Sequence, residues 1–597
     1  MTPSLKLGTG GFVTFLISIF FYLVAAMKLL NDILNNVPEF GQLLAAMDSG
    51  RCPVALSGLS AVHRAHFAAG VYARTGRPVV LVCADEGEGE RLARDLESLT
   101  GQRVPVLAPR SYIFHNAATV SRQWEHRRLA LMRAMAAGEV SLLVAAVEGL
   151  LQRTLPPEEL DRAWAELRTG GSYDLNQLAE TLIAAGYSRC DQVEGVGQFA
   201  LRGGILDVYS PGMEQPVRAE FFGDELDAMG LFDPATQRRT ENVERAVLLP
   251  AAEALPHLAP GGTAGLAARL EKLAAGAEKA GRHELAQTLR QDREALEQGR
   301  SFPATDRYLA LIYPQLATAA DYLPPDACVL FSESSRVGER AKTYQWQLEE
   351  DAKSLMERGE LDGSCAVLSR TFPELNARLS DWPTAYLDSF TLSAYPVPPG
   401  CLLSVTAKQL PSFGASLETA VSDLDHYQRS GLGTLVLVSS EQRALNLQML
   451  LREQGLRAAV EFQPQTLPGP GETLVSVGGL SAGMEYPEAR LAVLTEGQGA
   501  ALKKPRPRKA ATNREKLKSY ADLSPGDLVV HEHHGVGRYM GMVKLPADGV
   551  EKDYVKIAYA GSDVLYVPAT QLDLVSKYIG GGEDAAQTKK LNRLGGV

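Results

Sequence analysis

The sequence predicts a multidomain α/β protein. Parallel sheets are interrupted by an antiparallel α+β insert and followed by a third α/β unit and a small C-terminal β-barrel. Three observations carry this. The 597 residues exceed what a single hydrophobic core supports. Continuous apolar runs such as PVVLVCA at 78–84 alternate with amphipathic helical patterns, the mark of a parallel sheet covered on both faces. Between Gly526 and Tyr578, runs rich in Val, Tyr and Ile alternate: Val555, Ile557 and Tyr559 fall on one face, Tyr554, Lys556 and Ala558 on the other. Turn clusters at 534–537, 547–549 and 560–563 separate those runs, which describes a short, strongly bent antiparallel barrel. So small a barrel leaves little room for a catalytic cleft and suits gripping another macromolecule.

In chain order, residues 27–150 predict strands at 53–57, 78–84, 104–108 and 140–145, with helices at 61–75, 86–99 and 121–137. From about 170 to 250 the period shortens. After a helix at 175–185, strands at 198–202, 205–209, 217–222, 226–232 and 243–249 are punctuated by Gly203-Gly204, Pro211-Gly212 and Gly223-Asp224. Residues 263–299 are rich in Ala, Leu, Glu and Arg and read as helical. The α/β pattern returns over 300–395, with strands at 327–331 and 366–368. A third α/β unit follows over 402–499, with strands at 434–438, 456–462, 473–477 and 491–494. The domain limits that result are 1–26, 27–150, 151–255, 256–395, 396–502, a basic linker at 503–519, the barrel at 520–582 and a connector at 583–597.

A net charge of −11 argues against a basic coat gripping DNA everywhere, although Lys503 to Lys518 forms a local basic stretch. That stretch could track phosphates; Pro505 and Pro507 inside it favour a solvated tether. The six cysteines lie far apart, with no CxxC pair and no histidine at zinc-ligand spacing, and read as reduced thiols of a cytoplasmic protein. His531, His533 and His534 lack a matching Cys or carboxylate, so no metal site is expected. Phe12 to Met27 is almost wholly apolar. It reads as a start site placed too far upstream or as a membrane anchor; the first is preferred, because Met27-Lys-Leu-Leu-Asn-Asp opens an amphipathic helix.

A phosphate-gripping loop needs GxxxxGK[ST] between strand and helix, so that backbone N–H groups, a lysine and a magnesium-holding hydroxyl converge on phosphate. At the equivalent turn Gly58 is present, but His63, Arg64 and Ala65 occupy the Gly, Lys and Ser/Thr positions. The acidic partner is altered too: Ser332-Glu333 stands where Asp-Glu would hold magnesium and water. Both motifs read as relics of an ATPase site, so no cofactor and no catalytic residue is expected in this chain.

These pieces resemble one family, the bacterial transcription-repair-coupling factors. Residues 27–395, above all Gly186-Tyr-Ser-Arg189, GQFALRGGILDVY at 197–209 and AEFFGDEL at 219–226, resemble that family's degenerate excinuclease-B-like part. Residues 526–578 closely resemble its RNA polymerase-interacting module, shared with CarD-type regulators. The resemblance implies degenerate RecA/P-loop-like sheets and an SH3/Tudor-like barrel. It implies that the insert binds excinuclease A, the damage-recognition ATPase, through Arg189, Arg202 and Tyr209, although Tyr209 stands where the family usually has Phe. It also implies that Val543, Lys544 and Leu545 present a strand edge to the β subunit of RNA polymerase. ATP, magnesium and double-stranded DNA are expected mainly at a motor following the barrel, for which no intact phosphate loop exists among these residues. The function so implied is an adaptor in transcription-coupled nucleotide-excision repair. A CarD-like regulator without a repair role and an active excinuclease-B-like ATPase are the alternatives. Membrane association is not expected.

Overall fold

Strands that are apolar at every position must be covered on both sides, and the first sheet is built that way. In the computed structural model its order is Cys401–Ser404, Val54–Ser57, Thr384–Leu387, Cys328–Ser332, Val79–Cys83, Leu142–Ala146 and Val106–Leu107. All neighbours are parallel. The five central strands are buried at every residue. Alternate residues feed opposite cores: Val80, Val82, Leu143 and Ala145 enter one, Val79, Leu81, Leu142 and Val144 the other. The structure describes residues 29–114, 121–300, 303–414, 417–462, 464–497, 514–516, 527–531, 535–547, 550–559, 564–568 and 575–578. They belong to two units, Met1–Ala501 and Leu502–Val597.

Two departures from expectation concern this sheet. Residues 366–368 form no strand. Leu368 is buried, but its carbonyl accepts from Arg153 N and the Tyr112 hydroxyl rather than from a ladder. The unforeseen strands Thr384–Leu387 and Cys401–Ser404 take up the pairing instead. The second of these lies beyond residue 395, where the first unit was expected to end.

The insert is a separate sheet, ordered Arg239–Asn242, Glu225–Phe232, Val217–Phe222, Ile205–Tyr209, Gln198–Arg202 and Ser188–Arg189. It is antiparallel except for the last pair. One face packs on the helix Leu175–Ala184, which Asp174 caps by accepting from the N–H groups of Asn176 and Gln177. The strands Ala165–Arg168 and Arg245–Leu248 pair with each other and clasp the insert where the chain enters and leaves. A helical hairpin, Gly262–Lys279 and His283–Glu297, follows.

The third sheet runs Lys408–Leu410, Gly483–Tyr486, Leu491–Thr495, Gly433–Val438, Thr473–Val477 and Ala459–Val460. The strand expected over 456–462 shrinks to two residues. Leu435, Leu437, Met484, Tyr486 and Val493 share one core with Val54, Leu56 and Val79, so the first and third sheets are packed together.

In the second unit the order is Arg514–Lys516, Val575–Tyr578, Leu528–His531, Gly535–Ala547, Val550–Ala558 and Val564–Pro568, all antiparallel. Val529, Tyr539, Val555, Ile557 and Tyr559 form its core, as the alternation predicted. Arg514–Lys516 pairs with Val575–Tyr578, so three residues of the stretch read as a linker form a strand. The apolar segment 1–26, linker residues 503–513, His533, His534 and the connector 583–597 lie outside the described residues. Among the described residues no helix is long and apolar enough to cross a membrane, and no cluster of His, Cys, Asp and Glu could hold a metal ion.

Candidate functional site

A short turn joins the strand Val54–Ser57 to the helix Ala61–Thr75 where the sequence suggested a former phosphate loop, and its polar groups are already engaged. Gly58 has φ 89°, and a Cβ there would stand 2.0 Å from the Val405 carbonyl oxygen. The Gly58 N–H donates to Ser389 O at 3.2 Å and the Leu59 N–H to Asp388 O at 3.1 Å. Amides that would curl around phosphate are therefore spent on backbone. Arg64, in the lysine position, is buried in the helix Ala61–Thr75. Its Nη1 donates to Leu59 O at 2.8 Å, Glu333 Oε1 at 2.5 Å and Ser389 Oγ at 3.3 Å, and its Nε donates to Ser332 Oγ at 2.9 Å. Glu88 completes the ring: its Oε1 lies 3.8 Å from Arg64 Nη2 and accepts from Ser332 Oγ at 2.8 Å.

The neighbouring positions are likewise filled. His63 is fully buried, its Nδ1 2.6 Å from Ser60 Oγ and its ring edge-to-face with Tyr486 at 5.1 Å. Burial pulls its pKa down to about 3, so it is a neutral ring. Ala65 is wholly in the core. Glu333 has φ 57° and precedes the helix Ser334–Glu357. The first amide of that helix, Ser334 N, donates to Asp388 Oδ1 at 2.7 Å, so the chain's own carboxylate takes the place a helix N-terminus offers an anion. Burial pushes Asp388 up to about 6, against the pull of the Ser334 hydrogen bonds. The structure thus gathers Gly58, His63, Arg64, Ala65, Ser332 and Glu333 as the sequence suggested. The sequence reading missed Glu88, Asp388 and Ser389, for which no motif spacing offered a signal.

On the insert, alternation puts Arg202, Asp207, Tyr209 and Arg218 on the face away from the helix. Asp207 is fully buried and accepts from Arg202 Nη2 at 2.6 Å, Arg218 Nε at 2.7 Å and Arg218 Nη2 at 2.9 Å. The Tyr209 hydroxyl donates to Glu214 O at 2.9 Å, and its ring packs beside Val193, Ala200 and Phe232. Arg189 is exposed but pairs with Phe199, whose ring enters the helix-covered core. The three expected contact residues are therefore divided: Arg202 and Tyr209 share a face, and Arg189 occupies a position of the other face at the sheet edge.

In the sheet of the second unit, Gly535–Ala547 pairs through 535–538 with Leu528–His531 and over 538–547 with Val550–Ala558. A bulge at Met540 interrupts the second ladder, and Gly541 beside it has φ 111°. Tyr539 N donates to Asp527 O at 2.8 Å; beyond it, among the described residues, no strand pairs with the outer edge of 540–547. Val543, Lys544 and Leu545 lie on that edge. Val543 is half-buried, and only the backbone of Lys544 and Leu545 is described.

Comparison with known proteins matches this layout. The UvrB interaction domain matches residues 165–253, a span that opens with one strand of the clasp and closes just past the other. The CarD-like/TRCF RID domain matches 523–579. Fold and matches together define a chain in which two family-matched modules, an antiparallel insert and a C-terminal sheet, accompany a scaffold of α/β sheets. Over 96% of its length the chain is 30% identical to the transcription-repair-coupling factor of Bacillus subtilis (strain 168), and over 95% it is 30% identical to that of Staphylococcus haemolyticus. The factor of Staphylococcus aureus (strain MRSA252) is 28% identical over 92% of the chain. The chain is a relative of the transcription-repair-coupling factors and spans about half the length of these curated relatives, 48%, 48% and 47%.

Proposed function

We propose that the chain is an adaptor in transcription-coupled nucleotide-excision repair. The barrel holds the β subunit of RNA polymerase by adding a strand to the open edge at Val543, Lys544 and Leu545. The insert recruits excinuclease A through Arg202 and Tyr209, with Arg189 at the margin. The observation that carries this reading is the presence of both docking modules in one chain that aligns with transcription-repair-coupling factors over 96% of its length. An edge that offers unpaired backbone groups suits β-augmentation, and arginine beside an aromatic suits a protein interface.

In this reading the parallel sheet is a RecA-like scaffold that no longer holds nucleotide, and the barrel is of SH3/Tudor type. The ion pairs of Arg64 with Glu333 and Glu88 support the first point, since they neutralise within the fold the charge a triphosphate would need. ATP-dependent translocation on double-stranded DNA, with its magnesium, is assigned to the family's motor and to no residue of this chain. A cytoplasmic site of action follows from those partners.

The test is separation of the two contacts. Leu545→Glu should weaken polymerase binding at least about tenfold and spare excinuclease A; Arg202→Glu should do the reverse. If each substitution lowered both affinities alike, or neither, the adaptor reading would fail. ATP turnover by the purified chain that disappeared in Arg64→Ala would refute the inert-seat part.

A further inference from the structure

Phe222 is the most exposed large apolar side chain among the described residues, at 86%. Its neighbour Phe221 does the packing there, edge-on to Tyr173 at 6.3 Å, so the fold has no evident use for a second aromatic at 222. Along Val217–Phe222, Arg218, Glu220 and Phe222 alternate onto the face away from the helix. Ile205 pairs with Glu220 on one side and with Arg202 on the other. Phe221 N donates to Gly204 O at 2.7 Å, which draws the Gly203-Gly204 turn against this strand. Ile205, 39% exposed, therefore stands cross-strand from Arg202 and diagonal to Phe222.

Asp207 organises the charged part of this patch. Arg218 is consumed within the fold, since its guanidinium binds Asp207 and lies over the buried Phe232 ring at 4.6 Å. Arg202 is bound to Asp207 by one nitrogen only, and its side chain stays half exposed. That contact fixes one end of a guanidinium that solvent still reaches.

We propose that Phe222, Ile205 and the Arg202 guanidinium positioned by Asp207 form the anchoring patch for excinuclease A. The partner's matching surface presents a carboxylate to Arg202 and an apolar socket to Phe222. This rests on the reading that the insert docks that ATPase. The patch lies on the same face as Tyr209, with Asp207 between them along the strand, and a guanidinium oriented in advance loses less freedom on binding than a free one. Asp207 is a positioning residue, because its carboxylate is covered by the two arginines.

The experiment titrates the full chain with purified excinuclease A at low and high salt. Phe222→Ser should weaken binding about ten- to thirtyfold and leave its salt dependence unchanged, because apolar area and no ion pair is lost. Arg202→Glu should weaken binding and flatten the salt dependence. Asp207→Asn should weaken binding in wild type and add nothing to Arg202→Ala, whereas a merely structural role would add its loss in either background. Phe222 is a surface side chain, so its variant folds and decides the matter. Parental affinity in Phe222→Ser beside a loss in Arg202→Glu would overturn the patch and leave the adaptor reading standing. Failure of the parent chain to bind would remove both.

Discussion

Arg64 shows how much of a turn one buried side chain can hold together. A lysine at that position would offer a mobile point charge, whereas the planar guanidinium reaches Leu59 O, Ser332, Glu333 and Ser389 at once. Removing it leaves Glu88, which is nearly inaccessible, beside Glu333 with Arg336, 3.7 Å away, as its remaining cation. Arg64→Met should therefore cost about 3–5 kcal/mol in urea unfolding, and Arg64→Lys less. A loss below about 1 kcal/mol for Arg64→Met would contradict the network's structural role. The two histidines of the same helix set a pH dependence. Burial lowers His63 to about 3 and His66 to about 4 from the ordinary 6.5. Below 6.5 the unfolded chain takes up protons that the folded chain refuses, so their contribution falls as pH drops through that interval. Asp95 and Asp388 act oppositely. Burial raises both to about 6 from 3.8, so between those values the folded form holds protons that the unfolded form releases, and acidification favours folding. His66→Gln should flatten the fall of stability between pH 6.5 and about 4, measured by denaturation across that range; an unchanged slope would rule out the buried neutral ring.

The strand-to-helix turn at Gly58 is the element on which the first sheet and its filled seat converge. A side chain at 58 meets a left-handed φ of 89° and the Val405 carbonyl, which is fixed because Val405 N donates to Ser57 O. Gly58→Ala should cost more than about 2 kcal/mol, read as a drop in unfolding midpoint, and a neutral result would mean that the 404–406 segment can withdraw. Elements of this kind were legible where pattern and punctuation agree. The strands Val54–Ser57, Val79–Cys83 and Leu142–Ala146, the insert hairpins around Gly203-Gly204 and Gly223-Asp224, and the second unit's core of Val555, Ile557 and Tyr559 all follow the predicted periods. The failures have a common cause. Ala366 to Leu368 is too short for periodicity to tell a strand from buried coil, and its hydrogen bonds go to Arg153 and Tyr112, distant in sequence. Thr384–Leu387 and Cys401–Ser404 are only one residue longer and are strands because Val54–Ser57 and Cys328–Ser332 offer them edges. Within the seat, Arg64 and Glu333 were visible by comparison with a phosphate-loop pattern. Glu88, Asp388 and Ser389 come from other elements, and only the folded sheet brings them there.

Across the whole first unit, the third sheet is built into the same packing as the first. Tyr486 from Gly483–Tyr486 is 1% exposed, stacks edge-on with His63 and places its hydroxyl 2.8 Å from His66 Nδ1. Ser481 donates its N–H and hydroxyl to the Asp95 carboxylate at 2.7 and 2.5 Å. Cys401–Ser404 hydrogen-bonds as an edge strand of the first sheet, only a few residues before Lys408–Leu410 opens the third. A shared apolar core, a buried phenol between two histidines and a short covalent link leave the sheets little freedom to unfold separately. Tyr486→Ala should lower stability by about 3–5 kcal/mol, as expected for truncating a fully buried aromatic ring. The amides that exchange faster should include those of Val79–Cys83 and Cys328–Ser332 as well as Gly433–Val438. Native-state hydrogen exchange resolves this strand by strand. If protection fell in Gly433–Val438 alone while the parallel strands of the first sheet kept theirs, the two sheets would be separate cooperative units.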